Sequence, residues 1–202
     1  MRIIGGEFKR RLLNSPPDAS TTRPITDRVK ESLFNLLRGH TEDRTVIDCF
    51  AGTGSIGLEA ISRGAERCIF IEKDRDIAAL LRSNIAALGV EDRCELVRAD
   101  ALGPAALASC PAGAHLIFFD PPYALIEDPA RLPHVLEALG RFVQLLDDDG
   151  YAALRTPWPL FAPREEGLPK RELSLEVPGA LGPETHDYNN MAIHLYMRRK
   201  DE

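Results

Sequence analysis

The sequence lacks any apolar run near the roughly 18 residues that a membrane-spanning helix requires, and its start, MRIIGGEFKRRLL, has no apolar central stretch of the secretory type. These absences exclude a membrane protein organised by spanning helices and predict a cytoplasmic protein without a membrane partner. Cysteine is sparse: Cys49, Cys68, Cys94 and Cys110 sit in separate apolar segments with no C-x-x-C pair and no clustered histidines. That spacing argues against a disulfide framework and a zinc site and predicts no metal, leaving the four as reduced core residues. No internal repeat or low-complexity tract interrupts the chain. What is present is 202 residues, 44% hydrophobic and 28% charged. Those proportions describe one globular domain large enough to bury a core.

The net charge of -6 is unevenly spread. Residues 1–30 carry seven basic side chains against three acidic ones, a local charge of +4, so the remainder carries -10. A basic end on an acidic body suits a phosphate-facing edge, since phosphate contacts supply most sequence-independent affinity for nucleic acid. A merely solvated arm would have the same composition. Residues 1–24 are therefore expected to form a basic, phosphate-facing arm or hairpin on a main domain spanning 25–202.

Beyond the arm, Val29, Leu33, Leu36 and Leu37 share one face at helical spacing, with Thr26 or Asp27 as the N-cap. The chain then alternates. Strands are expected at 45–50, 67–71, 93–98, 115–119 and 151–155, separated by helices at 54–63, 74–88, 101–109 and 129–146. Apolar strands between amphipathic helices imply an α/β, doubly wound, mostly parallel sheet covered on both faces. Strands at 172–177 and 191–197 with no helix between them predict a C-terminal antiparallel hairpin.

Two motifs end strands. The first, Asp48-Cys-Phe-Ala51-Gly52-Thr53-Gly54-Ser-Ile-Gly57, places glycines where a tight turn opens a helix and a ligand approaches the backbone. The pattern is also G-x-G-x-x-G, and Glu72 follows at the end of the second strand, as in a dinucleotide site. Asp48 weakens that reading. A carboxylate in the pocket floor would repel a pyrophosphate and attract a ligand carrying an ammonium and a sulfonium, which describes S-adenosylmethionine. Glu72 could accept from ribose hydroxyls and Asp100 from an adenine amine. A helix N-cap is the plainer role for each acid.

The second motif is Asp120-Pro121-Pro122-Tyr123, directly after the apolar run Leu116–Phe119. An exocyclic amine on a base is a poor nucleophile because its lone pair is delocalised into the ring. Acceptors for its N–H groups help the nitrogen become tetrahedral. The Asp120 carboxylate and the Pro121 carbonyl are such acceptors, the two prolines remove competing donors, and Tyr123 offers a stacking face. A strand-to-loop turn would also use Asp and Pro, but needs neither the second proline nor the aromatic.

These residues resemble the class I S-adenosylmethionine-dependent methyltransferases with a D/N-P-P-Y/F loop. More closely, the chain is similar to the family that methylates guanine N2 in small-subunit ribosomal RNA. The likeness runs from Met1-Arg-Ile-Ile-Gly-Gly through Thr22–Lys30, Phe50–Ala60 and Glu72-Lys73-Asp74 to Asp120–Tyr123 and covers roughly the first 155 residues. The resemblance implies a seven-stranded Rossmann-like sheet. It implies cofactor contacts by Asp48, Ala51, Gly52, Thr53, Gly54, Glu72, Lys73, Asp100 and Ala101, and base contacts by Asp120, Pro121, Pro122 and Tyr123. RNA contacts are expected at Arg2, Lys9, Arg10, Arg11, Arg23, Thr26 and Arg28, the partner being ribosomal RNA or an assembled small subunit. The loop is shared with adenine-N6 enzymes acting on DNA or RNA. The tail departs from the family, with Asp187-Tyr-Asn-Asn190 where an Arg-x-Tyr-Gly stretch is usual.

Overall fold

The computed structural model describes residues 1–16, 25–161 and 172–200. Its centre is a seven-stranded sheet in the order β3-β2-β1-β4-β5-β7-β6. The parallel strands are β1 (Thr45–Cys49), β2 (Arg67–Ile71), β3 (Cys94–Val97), β4 (Ala114–Phe119) and β5 (Leu146–Pro157). The last two, β6 (Ala180–Asp187) and β7 (Met191–Arg198), form an antiparallel hairpin, with β7 inserted between β5 and β6. Because β1 pairs with β2 on one side and β4 on the other, the chain reverses its winding there. A crevice opens at the carboxyl ends of strands at such a switch point.

Local signals set most boundaries. Helix α1 (Asp27–Leu36) starts at Thr26, whose hydroxyl accepts from the Val29 N–H, and buries Lys30, Leu33 and Phe34. Helix α3 (Arg75–Leu88) is capped by Asp74, whose carboxylate accepts from the Asp76 and Ile77 N–H groups, and ends at left-handed Gly89. Between them lies α2 (Gly57–Ser62). All six residues of β4 are buried, as the centre of a sheet covered on both faces demands. Helices α4 (Pro104–Ala108), α5 (Tyr123–Ile126) and α6 (Leu132–Val143) complete the layers.

Two expectations need correction. The 129–146 helix is confined to Leu132–Val143, because Leu146 already pairs with Ala114 to open β5. The alternating stretch 172–177 is not a strand of the sheet. Apart from an isolated bridge between Phe161 and Glu172 it has no ladder, although Leu175 and Val177 are buried and the Tyr196 hydroxyl donates to the Leu175 carbonyl at 2.8 Å. The hairpin's outer strand is Ala180–Asp187 instead. Gly182 and Pro183 interrupt it and its register shifts between Leu181 and Glu184, which an edge strand tolerates. The divergent Asp187–Asn190 tract forms the turn of this hairpin, with Asn189 taking a left-handed φ of 66°.

Candidate functional site

The glycine turn follows β1 directly. Phe50 has a φ of 60°, unusual for a bulky residue, and its ring packs edge-on against Phe119 of β4 at 5.2 Å. Gly52 and Gly54 also have positive φ. A side chain on Gly57 would lie 2.3 Å from the Phe70 ring, so glycine there lets α2 lie against β2. Gly52 has open space where its side chain would be, which leaves that backbone approachable. The Thr53 hydroxyl is buried with no hydrogen-bond partner among the described residues.

The acids around this turn have distinct partners. Asp48 does not lie open on a pocket floor: it is buried, and Oδ2 accepts from the Gly57 N–H at 2.8 Å, close to the N-terminal role the sequence also allowed. Burial pushes its pKa well above the usual carboxylate range against the pull of the Gly57 bond, and the charges of Asp120 and Glu72 push the same way. Glu72 accepts from the Gly52 N–H at 2.9 Å and the Asp74 N–H at 2.8 Å, which ties the second strand to the turn. Asp100 accepts from the Leu102 N–H at 3.0 Å and faces Lys73 at 3.4 Å, both side chains exposed. Ala51 and Ala101 are buried.

Asp120 lies one step past β4, beside the glycine turn, because Phe119 pairs with Cys49. Pro121 is buried and Pro122 exposed. The Pro122 carbonyl accepts from the Leu125 N–H at 2.8 Å, opening α5, whereas no hydrogen bond to the Pro121 carbonyl occurs among the described residues. Tyr123 begins α5 and is partly exposed. The residue that sequence reasoning missed is Arg155. Its Nε donates to Asp120 Oδ1 at 2.6 Å and its Nη2 to Oδ2 at 2.8 Å, with both side chains mostly buried. Burial works against its charge, but the Asp120 carboxylate more than offsets this and leaves the Arg155 pKa raised. The available signal was a charged residue inside the apolar strand Ala-Ala-Leu-Arg, one position beyond the residue facing Phe119.

A protein family described as conserved hypothetical protein 95 matches residues 1–157. The chain belongs to this family. Among its relatives is the ribosomal RNA small subunit methyltransferase D of Escherichia coli, 36% identical over 171 residues, covering 84% of this chain and 78% of the relative. Another is YlbH of Bacillus subtilis, named as a candidate rRNA methyltransferase, 37% identical over 152 residues, or 75% of this chain and 79% of that one. The solved structure of yhhF, a candidate methyltransferase from Escherichia coli, superposes with a TM-score of 0.75 at 32% identity and 98% coverage of both chains.

The span matched to conserved hypothetical protein 95 begins at residue 1 and so includes the basic segment. Its residues 1–16 are anchored against the body of the domain. Arg2 and Leu12 form an antiparallel bridge, Ile3 and Leu13 are buried, and a side chain on Gly6 would collide with the Ser62 carbonyl. The Glu59 carboxylate of α2 accepts from the Ile4 and Gly5 N–H groups at 2.8 Å each, from Arg63 Nε at 2.9 Å and from Lys30 at 3.1 Å. Lys30 also donates to the Arg2 carbonyl and to Ser55 in the glycine turn. It contributes nothing to the exposed basic surface it was counted with. Lys9, Arg10 and Arg28 are exposed, as is Thr26 at the head of α1. Arg2 pairs with Asp27 at 2.7 Å and Arg11 donates to the Ala87 carbonyl at 2.9 Å. Arg23 lies outside the described residues.

Proposed function

We propose that this chain transfers a methyl group from S-adenosylmethionine to the exocyclic N2 of a guanine in small-subunit ribosomal RNA. The observation that carries the reading is the Asp120 carboxylate, with acceptor capacity left beyond the Arg155 fork, next to a Pro121 carbonyl that has no hydrogen bond among the described residues, at the strand ends beside the glycine turn. A guanine edge presents N1–H and two N2–H groups, all donors, and a carboxylate is acceptor-only when ionised. Adenine would instead bring the lone pair of its N1 against that carboxylate. The relatives named for ribosomal RNA methylation support RNA as the substrate class.

The cofactor fits the turn on three counts. The approachable Gly52 backbone, the Thr53 hydroxyl, buried without a partner among the described residues, and the Glu72 carboxylate at the turn suit a ligand with hydroxyl and ammonium donors better than a pyrophosphate. Glu72 has lone pairs left for ribose hydroxyls, and Asp100 has lone pairs left for the adenine amine. S-adenosylmethionine, when bound, supplies an electrophilic methyl group on a sulfonium centre. The chain's own contribution is to orient the amine and draw its N–H bonds out of the ring plane through Asp120 and Pro121. These interactions strengthen as the nitrogen becomes tetrahedral and positive. Tyr123 holds the base by stacking. As the N–C bond forms the nitrogen sheds one proton, for which solvent and the Asp120 oxygens are the acceptors at hand. The arm of residues 1–24 supplies phosphate contacts through Arg2, Lys9, Arg10, Arg11 and Arg23, and Thr26 and Arg28 close over the RNA or the cofactor.

The test is to incubate the protein with methyl-labelled cofactor and, separately, naked ribosomal RNA, assembled small subunits lacking the modification, and duplex DNA, then to digest to nucleosides. N2-methylguanosine in the ribosomal material is expected. N6-methyladenine, or label confined to DNA, would contradict the reading.

A further inference from the structure

We propose that Arg155 is the positioning residue of the methyl-transfer site, setting the direction from which Asp120 accepts the amine and holding Tyr123 against it. The proposal deepens the function just proposed and rests on its assignment of Asp120 as the acceptor. Arg155 stands on β5, next to β4, one step past the Leu154–Phe119 pair and so level with Asp120. Its guanidinium meets both carboxylate oxygens in a fork, at 2.6 and 2.8 Å. The same guanidinium lies 5.6 Å from the centre of the Tyr123 ring. One cation thus spans both functional ends of the Asp120–Tyr123 loop.

The fork determines which lone pairs are left. A carboxylate has about four lone-pair sites, and Arg155 takes one on each oxygen. The two that remain have directions fixed by the plane the guanidinium imposes. Without the fork, Asp120 would rotate about its side-chain torsions and its acceptors would lose that aim. A lysine could not replace it, because an ammonium is a point charge that does not set the carboxylate plane. Asp120 and Arg155 also border a small cleft whose other walls include Ile25, Ile56, Ala153 and Ile193.

The experiment uses full-length wild type and the variants Arg155→Gln, Arg155→Lys, Asp120→Ala and Asp120→Ala/Arg155→Gln. Each is followed in single turnover on small subunits lacking the modification, with cofactor affinity by calorimetry and nucleoside identification of the product. Misplacement of a reacting group by about 1 Å costs on the order of a hundredfold, so Arg155→Gln is expected to lose about that much rate. Cofactor affinity should hold within roughly twofold, since the cofactor contacts are untouched. Arg155→Lys, which keeps the charge and guards against a folding defect, should recover only part of the rate. The double variant should be only a little slower than Asp120→Ala alone, because Arg155 acts mainly through Asp120 and only its contact with Tyr123 is left to lose. Rates near wild type for both Arg155→Gln and Arg155→Lys, with Asp120→Ala impaired, would overturn the role of Arg155 alone. Asp120→Ala near wild type would overturn the assignment of Asp120, and with it the route proposed for Arg155. A double variant much slower than Asp120→Ala would also overturn it.

Discussion

Glu59 and Asp120 are both carboxylates held by mostly buried cations, yet they differ in what remains on their oxygens. Each Glu59 oxygen accepts two donors, so its lone pairs are filled by Ile4, Gly5, Lys30 and Arg63, and its side chain is wholly buried. Asp120 has only the Arg155 fork among the described residues and keeps 15% exposure. The first pair fastens the basic segment and α1 to the helix after the glycine turn. The second leaves acceptor capacity at the open edge of the sheet. A buried ion pair is weak support for stability in itself, since desolvation offsets attraction. In the proposed function it is the unfilled lone pairs, rather than the pairing, that act on the amine.

The saturated carboxylate is the more vulnerable to substitution. Glu59→Gln leaves Lys30 buried without its anion, and removing one partner of such a pair costs about 3 to 5 kcal/mol. Burial already lowers the Lys30 pKa while Glu59 raises it, so the lysine would lose its proton more readily in the variant. Urea unfolding should show the loss, while turnover per folded molecule stays near wild type. Unchanged stability would show that the hub does not fasten the fold.

A second saturated group gives a smaller effect of the same kind. His194 is buried, with the Thr156 and Thr185 hydroxyls at 2.9 Å from its two ring nitrogens, and burial lowers its pKa to about 4. The unfolded chain takes up that proton near the usual 6.5, whereas the fold resists it until about 4. The contribution is therefore complete above pH 6.5 and lost as pH falls toward 4, roughly 3 kcal/mol at about 1.4 kcal/mol per pH unit. Asp48, raised by burial, acts with the opposite sign as pH falls. The difference between wild type and His194→Gln across pH 7 to 4.5 isolates the histidine. A pH slope unaltered by His194→Gln would contradict this. Smallest is the effect of the exposed cations. Lys9→Gln and Arg10→Gln should leave stability unchanged and lower the slope of log affinity for RNA against log salt by roughly 1 for each phosphate no longer neutralised. An unchanged slope would remove the arm from the RNA interface.

Much of this was legible in the sequence where the signal is local. Strands β1, β2 and β4 are near-continuous apolar runs, Gly89 ends α3, and the glycine turn and the Asp120–Tyr123 loop each sit at a strand end. What was not legible depends on pairing across the sheet. Ala180–Asp187 becomes a strand because β7 offers it a partner, despite Gly182 and Pro183. The more strand-like stretch 172–177 uses its apolar residues for packing without a ladder. Arg155 and Lys30 were visible as residues but not as partners, since their carboxylates lie 35 and 29 positions away. Asp48 was placed at the correct turn, but spacing alone could not show that its carboxylate is occupied by Gly57.

Every step of the proposed chemistry requires Asp120 and Pro121 to act on an amine beside a bound methyl donor, and Asp120→Ala in single turnover probes that requirement without an intermediary. Removing one positioned group that acts on the transition state costs about a hundred- to a thousandfold in rate. A loss of that size in N2-methylguanosine formation is expected, with S-adenosylmethionine affinity kept. Turnover near wild type in a variant that still binds the cofactor would contradict it.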